Sequence, residues 1–297
     1  MNILISGSTG LVGSALCSAL AADGHSLTTL TRPNSKSAAK SIEWNPLSGK
    51  LDPAALTGID AVVHLAGENI AGRWTAAKKK AIRESRVLGT KTLANALAAM
   101  TVKPKVLICA SAIGYYGNRG DELLTESSSP GKGFLPEVCQ AWESAADPAR
   151  AAGIRTVALR FGVILSENGG ALAKMLTPFK LCLGGIIGSG KQYMSWIALD
   201  DVVGAILFAL KTESLSGPAN TVAPNPVTNR EFTKTLGKVI KRPTIFPMPA
   251  FAARLAFGEM ANDLLLGSTR VTPSRLTDAG FVFKWPRLED ALRHLLQ

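Results

Sequence analysis

Three glycines spaced three apart, Gly7, Gly10 and Gly13, follow a short apolar run near the start of the sequence and open a helix of small residues. The stretch reads Asn2-Ile-Leu-Ile-Ser6, then Gly7-Ser-Thr-Gly10-Leu-Val-Gly13, then Ala15, Leu16, Ala19 and Leu20 on a helical spacing. After Asp23-Gly24 comes a second run, Leu27-Thr-Thr-Leu-Thr-Arg32. A brief, uninterrupted apolar run is what a parallel strand covered on both faces requires. Gly7 admits a sharp turn, Gly10 lets backbone amides close on a pyrophosphate, and Gly13 lets the helix pack on the strand. The phosphates then lie at the positive end of the helix, against its unpaired amides. Strand, glycine turn, helix and strand in that order predict a dinucleotide site at Gly7, Thr9, Gly10, Leu11, Val12 and Gly13. A plain glycine turn is the alternative.

The end of the second run selects the cofactor. A site for NAD places a carboxylate there to accept the ribose hydroxyls. Thr31-Arg32 stands here instead, with Lys36 and Lys40 nearby. A carboxylate repels a 2′-phosphate, whereas a guanidinium grips it through charge-assisted hydrogen bonds. The reading is NADP(H), with Arg32 as an ordinary surface arginine as the alternative.

The chain of 297 residues is long enough for one large α/β core and an appended lobe. No run of about eighteen apolar residues occurs, so no membrane-spanning helix and no membrane partner are expected. The first residues lack a charged leader, and Cys17, Cys109, Cys139 and Cys182 lie far apart without metal-ligand spacing. Reduced thiols and a cytoplasmic location are the expectation, with no metal. The formal charge of +11 raises nucleic-acid binding as a hypothesis. Its densest cluster, Lys78-Lys79-Lys80 with Arg83 and Arg86, has no interleaved aromatic platform, so no nucleic-acid partner is expected.

Along the chain, short strands are predicted around 42–44, 60–67, 104–110, 155–159 and 217–223, and helices over about 75–100, 135–152 and up to Lys211. This alternation means a parallel, doubly wound sheet, with ligands at the carboxyl ends of its strands. Ala66 and Gly67, closing the run from Asp60, therefore border the nicotinamide half. His64 inside that run reads as a packed imidazole rather than an acid–base group. Glycines at 169, 170, 184, 185, 188 and 190 interrupt the segment after Ser166. Asp200 or Asp201 is a candidate helix cap, Thr228-Asn-Arg-Glu231 a capping box, and Thr272-Pro273 a helix start. Residues 1–165 read as the cofactor domain, completed in part by 191–223, and 166–297 mainly as a smaller α/β substrate lobe.

The spacing Gly-x-x-Gly-x-x-Gly resembles the extended short-chain dehydrogenase/reductases. Those enzymes need a tyrosine and, four residues on along one helix face, a lysine whose charge stabilises the phenolate. Only Tyr115, Tyr116 and Tyr193 are present, and Arg119, Gly120 and Ile197 stand four residues beyond them. The tyrosine and lysine slots, aligned on Trp142-Glu143, hold Leu135 and Cys139. The usual serine position falls on Ala112, with Ser111 one residue early.

Further motifs narrow the likeness. Leu65-Ala-Gly-Glu-Asn-Ile70, Arg73-Trp74, Ser85-Arg86, Gly114-Tyr-Tyr116, Trp142-Glu143, Gly184-Gly-Ile-Ile-Gly-Ser-Gly190 and Trp196-Ile197 resemble epimerase-family proteins of the YfcH type. The ending Thr272-Pro-Ser-Arg-Leu, Ala279-Gly-Phe281 and Leu288-Glu-Asp-Ala-Leu292 resembles their C-terminal DUF1731 domain, here about 245–297. The resemblance implies a Rossmann-like fold and NADP(H) held by Thr31, Arg32, Leu65, Ala66 and Arg86 beside the glycine loop. Tyr115 and Tyr116 are the candidate proton carriers, or else two packing aromatics. Glu68 is a ribose contact or a loop carboxylate, Ser111 borders the cofactor, and Gln192, Tyr193 and Trp196 wall the substrate side. Three functions stay open: an NADP(H)-dependent oxidoreductase or epimerase of an unknown small molecule, a catalytically silent NADP(H)-binding regulator, for example of cell division, and a basic nucleic-acid binder. A homodimer or another protein partner fits any of them.

Overall fold

The structure is a computed structural model that describes residues 1–33 and 40–297. Lys36 lies outside the described residues. The first strand, β1 (Asn2–Ser6), turns at the glycines into α1 (Leu11–Ala22), followed by β2 (Ser26–Thr31) and β3 (Ser41–Glu43). Next come β4 (Ala61–His64), α2 (Ala76–Ala99), β5 (Val106–Ala112) and β6 (Leu123–Leu124). Then α3 (Phe134–Ser144), α4 (Asp147–Ala151), β7 (Arg155–Phe161) and β8 (Val163–Leu165) lead to α5 (Gly170–Lys180). The remainder is β9 (Tyr193–Met194), β10 (Trp196–Ala198), α6 (Leu199–Lys211), β11 (Gly217–Thr221), β12 (Val227–Thr228), α7 (Asn229–Val239), α8 (Ala250–Phe257), β13 (Arg270–Val271), α9 (Ser274–Asp278) and α10 (Leu288–Leu296).

Seven of these strands form the central sheet in the order β11-β7-β5-β4-β1-β2-β3, and every pairing is parallel. Order reverses on either side of β1, which places a crevice at the carboxyl ends of β1 and β4. The period-two alternation of β1 sends Ile3 and Ile5 to one face and Leu4 to the other. Ile3 and Ile5 pack with Leu16 and Leu20 of α1 and Val202 and Ile206 of α6. Leu4 and Val62 pack with Leu93 and Leu97 of α2 and Ala149 of α4. A third core, around Trp196, Phe232, Leu236 and Leu292, sits under the C-terminal helices.

Several expectations shift by a turn. The helix expected over 135–152 divides into α3 and α4, because Pro148 occupies the first turn of the second, where its missing N–H costs nothing. The strand at 155 runs on to Phe161 and, past Gly162, continues as β8, where a Cβ on Gly162 would collide with the Ser195 carbonyl. The glycine-rich segment contains α5 before its irregular part. Neither Asp200 nor Asp201 caps α6: Ala198 holds that position, and Asp201 turns inward to accept from the backbone amides of Lys284 and Trp285 at 2.7 and 3.0 Å. Thr228 and Glu231 do form the capping box of α7. The helix expected at Thr272-Pro273 begins at Ser274, with Pro273 at its cap.

Candidate functional site

The first turn is built as a cradle. Gly7 has φ +73°, and a Cβ there would lie 2.9 Å from the amide nitrogen of Ala66. A Cβ on Gly13 would run into the Gly7 carbonyl, whose oxygen accepts the Gly10 N–H at 3.0 Å. Gly10 caps α1 without a side chain, and the first turn of α1 holds no acidic residue. Amides at the helix start therefore meet neither a side-chain acceptor nor a repelling carboxylate, which suits a phosphate. Thr9 and Gly10 are exposed on the rim. Leu11 packs on Gly169 and Gly170, and Val12 packs on the sheet core.

Ser6 locks the cradle to the end of β4. Its hydroxyl oxygen accepts the amides of Leu65 and Ala66 at 3.2 and 3.3 Å, so its proton goes to His64 Nδ1 at 2.6 Å. That leaves the His64 proton on Nε2, which has no partner among the described residues. Burial pushes the imidazole down to about 4, so it stays neutral, as a packed core residue. Trp44 meets its ring edge-on at 6.0 Å.

Beyond Gly67 lies a charged shelf. The Arg86 guanidinium sits over the Trp142 ring and donates to the Glu68 carbonyl at 2.9 Å. The guanidinium packs over Gly67, where a Cβ would stand 3.5 Å from its central carbon. Ser85 receives the Glu68 amide at 3.0 Å, and Lys78 donates to the Glu68 carboxylate at 2.6 Å. The Lys78 hydrogen bond holds that carboxyl below its ordinary range, and the charges of Arg86 and Arg32 add to the effect. Arg32, exposed at the end of β2, is thus within electrostatic reach of Glu68, as the crevice between β1 and β4 requires. Thr31 is half-buried, and its carbonyl accepts the Trp44 amide. The lysine cluster is largely spoken for: Lys78 pairs with Glu68, Lys79 with Glu259 and Lys80 with Glu84. Lys79 also lies over the Phe134 ring at 4.8 Å.

At the carboxyl ends of β5 and β7 lies a buried polar network. Arg160, 2% exposed, grips Glu143 of α3 through Nε and Nη2, both at 2.8 Å. Burial opposes its charge, but the hydrogen bonds and charge of Glu143, with help from Tyr116, more than restore it, so Arg160 stays cationic. Ser111 donates to Glu143 at 2.6 Å. The Tyr116 hydroxyl accepts from Arg160 Nη1 at 2.9 Å and donates to Asn220 of β11 at 2.7 Å. Tyr116 is fully buried, and burial pushes its phenol up, so it stays protonated as a link between β7 and β11. Tyr115 is placed differently. Half-buried on the turn after β5, it lays its ring face over Arg160 at 3.5 Å, and its hydroxyl makes no hydrogen bond among the described residues.

The two helical slots hold what the sequence shows. Leu135 and Cys139 both pack against Gly114, and burial pushes the Cys139 thiol up to about 12, so it carries no charge. The residues expected to wall the substrate side separate in space. Trp196 is fully buried in the third core, its indole donating to the Asn225 carbonyl at 3.1 Å. Gln192 is buried and ties the carbonyls of Ile187 and Leu265 together at 2.9 and 3.0 Å. Of the three, Tyr193 alone is partly exposed, with Arg270 over its ring at 4.9 Å.

Arg160, Glu143 and Asn220 escaped the sequence reading. The available signal was Arg160, a lone charge closing the apolar run Thr156-Val-Ala-Leu, which can be buried there only beside a carboxylate.

Residues 3–222 match the NAD dependent epimerase/dehydratase family, and residues 248–295 match a domain of unknown function, DUF1731. The chain is 46% identical to an epimerase family protein of Mycobacterium bovis, covering 98% of this chain and 96% of that protein. Its fold is similar to the crystal structure of human epimerase family protein SDR39U1 with NADPH, at a TM-score of 0.90 and 34% identity over 99% of both chains. It is also similar to a nucleoside-diphosphate sugar epimerase from Corynebacterium glutamicum, at a TM-score of 0.83 and 39% identity, covering all of this chain and 58% of that one.

Proposed function

The chain belongs to the NAD dependent epimerase/dehydratase family, and we propose that it is an NADP(H)-dependent oxidoreductase or epimerase of the atypical extended class, with Tyr115 as its proton carrier. One observation carries the reading: a Cβ on Gly7 would strike the Leu65–Ala66 backbone and one on Gly13 the Gly7 carbonyl, so the glycines let the turn close tightly and present the start of α1 with no capping side chain. The solved human relative crystallised with NADPH supports the same cofactor. The amides at the start of α1 would hold the pyrophosphate, Arg32 the 2′-phosphate, and Leu65, Ala66 and Gly67 would border the nicotinamide half. A nicotinamide held there would supply hydride-transfer chemistry at a carbon that bears an oxygen.

The chain's own task is the proton. Tyr115 fits it by elimination: Tyr116, Cys139 and His64 are buried and neutral, while the Tyr115 hydroxyl is uncommitted at the strand end. The Arg160 guanidinium beneath its ring fixes the ring in one orientation. Ser111 spends its proton on Glu143, so towards a substrate it can only accept a hydrogen bond.

A second reading rests on the same network. If Arg160, Glu143 and Tyr116 serve architecture alone, the protein is a silent NADP(H)-binding regulator. Turnover of NADPH against panels of carbonyl and sugar-nucleotide substrates separates the two. The catalytic reading expects Tyr115→Phe to lower turnover by about 10²–10⁴-fold with NADPH affinity unchanged. Activity that survives the substitution removes Tyr115 from the role, and tight NADPH binding with no turnover on any substrate favours the regulator.

A further inference from the structure

The C-terminal part of the chain leaves large apolar side chains outside every core. Leu181 and Leu183 after α5, Ile245 and Phe246 before α8, and Phe251 and Leu255 on α8 are each between 55% and 75% exposed. Contacts beneath them show one continuous surface. The Met248 amide donates to the Ile186 carbonyl, the Gly188 amide to the Met248 carbonyl, and Arg242 Nε to the Lys180 carbonyl, so the chain after α5 lies beside the segment that leads into α8. A Cβ on Gly185 would strike the Phe246 carbonyl, which shows how close the two segments lie. Phe251 and Leu255, four residues apart, leave α8 on one face.

The same stretches, 180–191 and 241–258, carry Lys180, Lys191, Lys241, Arg242 and Arg254 and not one Asp or Glu. Two shallow concavities open beside the apolar side chains. Lys180, Lys241 and Arg242 line the first, with Glu167 at its edge. Arg230 and Lys234 line the second, against Ile186 and Ile245. An apolar surface whose flanking charges are mainly cationic, with Glu167 in the first concavity and Glu259 past α8 paired to Lys79, marks a docking face rather than scattered surface residues.

We propose that this face docks onto an anionic lipid bilayer, with the apolar side chains entering the headgroup region and the surrounding cations meeting lipid phosphates. A second copy of the chain fits less well, because across a two-fold axis the cations would meet the same cations. A shaped acidic protein also fits less well: the apolar side chains protrude instead of lining a groove, and a fluid interface receives protrusions without a matching contour. The expectation of no membrane partner rested on the lack of a spanning segment, and no helix among the described residues is long and apolar enough to cross a membrane. Surface docking needs no such helix.

Sedimentation of the full chain with extruded vesicles tests this, comparing pure phosphatidylcholine with vesicles about one-third phosphatidylglycerol. The bound fraction should rise about tenfold on the anionic vesicles and fall back as salt is added. The pair Phe251→Ser with Leu255→Ser, and separately Lys241→Glu with Arg242→Glu, should each weaken binding about tenfold or more. Both pairs lie outside the cores, so the thermal melt should be unchanged and reports on folding independently. No binding to anionic vesicles at low salt overturns the proposal. Binding that neither pair reduces does so too, as does a Phe251/Leu255 variant that dissociates a dimer while vesicle binding stays the same.

Discussion

Gly13 and His64 show how far single positions control the crevice. Gly13 touches the backbone of Gly7 and Ser8, so the smallest added side chain must push α1 off β1. Gly13→Ala should cost about 2 kcal/mol or more of stability and abolish NADPH binding, measured by urea unfolding and calorimetry. His64 offers a pH test with a definite sign. Its folded value is depressed to about 4 while the unfolded chain titrates near its ordinary 6.5, so the unfolded state takes up the proton first as pH falls. Stability from this residue is complete above about 6.5 and lost as pH drops towards 4, by up to about 3 kcal/mol. His64→Asn should flatten the curve of unfolding free energy against pH over that window. An unchanged slope would show that other groups set it. Both positions were legible beforehand, the glycines from their spacing after a strand and His64 from its place inside an apolar run.

The pairing of α3 with β7 was not legible, because it depends on two residues seventeen apart meeting under a helix. Periodicity places Glu143 on a helix and ends the strand at Leu159, just short of Arg160, and only the packing of α3 over the sheet brings the two to 2.8 Å. The Arg160 side chain is 3% exposed and that of Glu143 15%, so removing one partner strands a buried charge. Glu143→Ala should therefore cost about 3–5 kcal/mol in chemical unfolding. The double change Glu143→Leu with Arg160→Met should cost less than the sum of the two single changes, since no lone charge remains. Equal additivity would mean that the pair is not coupled. Trp196 teaches the converse. Its neighbours in sequence suggested a cleft wall, but β10 lies beneath the C-terminal helices, and a residue next to a glycine-rich loop can still face a core. The division of the expected long helix has a plainer source, since Pro148 lies in its last turns and starts a new helix there.

Across the molecule, the parallel sheet and its order follow from strands and helices that alternate along the chain, which is why the fold was readable from period and turn chemistry. The C-terminal lobe was read less well. Its strands have two or three residues each and borrow partners far away in sequence, as β13 does with β6 and β12 with β9, so local patterns carry little of their placement. What unites sheet, crevice and charge is the cofactor. The first helix, the end of β2 and the end of β4 meet at one point because order reverses there, and Arg32 is the cation that closes β2 at that point. Calorimetric titration of NADPH and NADH into wild type and Arg32→Asp tests that convergence. The structure predicts NADPH favoured over NADH by about tenfold or more in wild type and the preference lost or reversed in Arg32→Asp. Absence of any NADPH binding, or equal NADPH affinity in the two proteins, would contradict it.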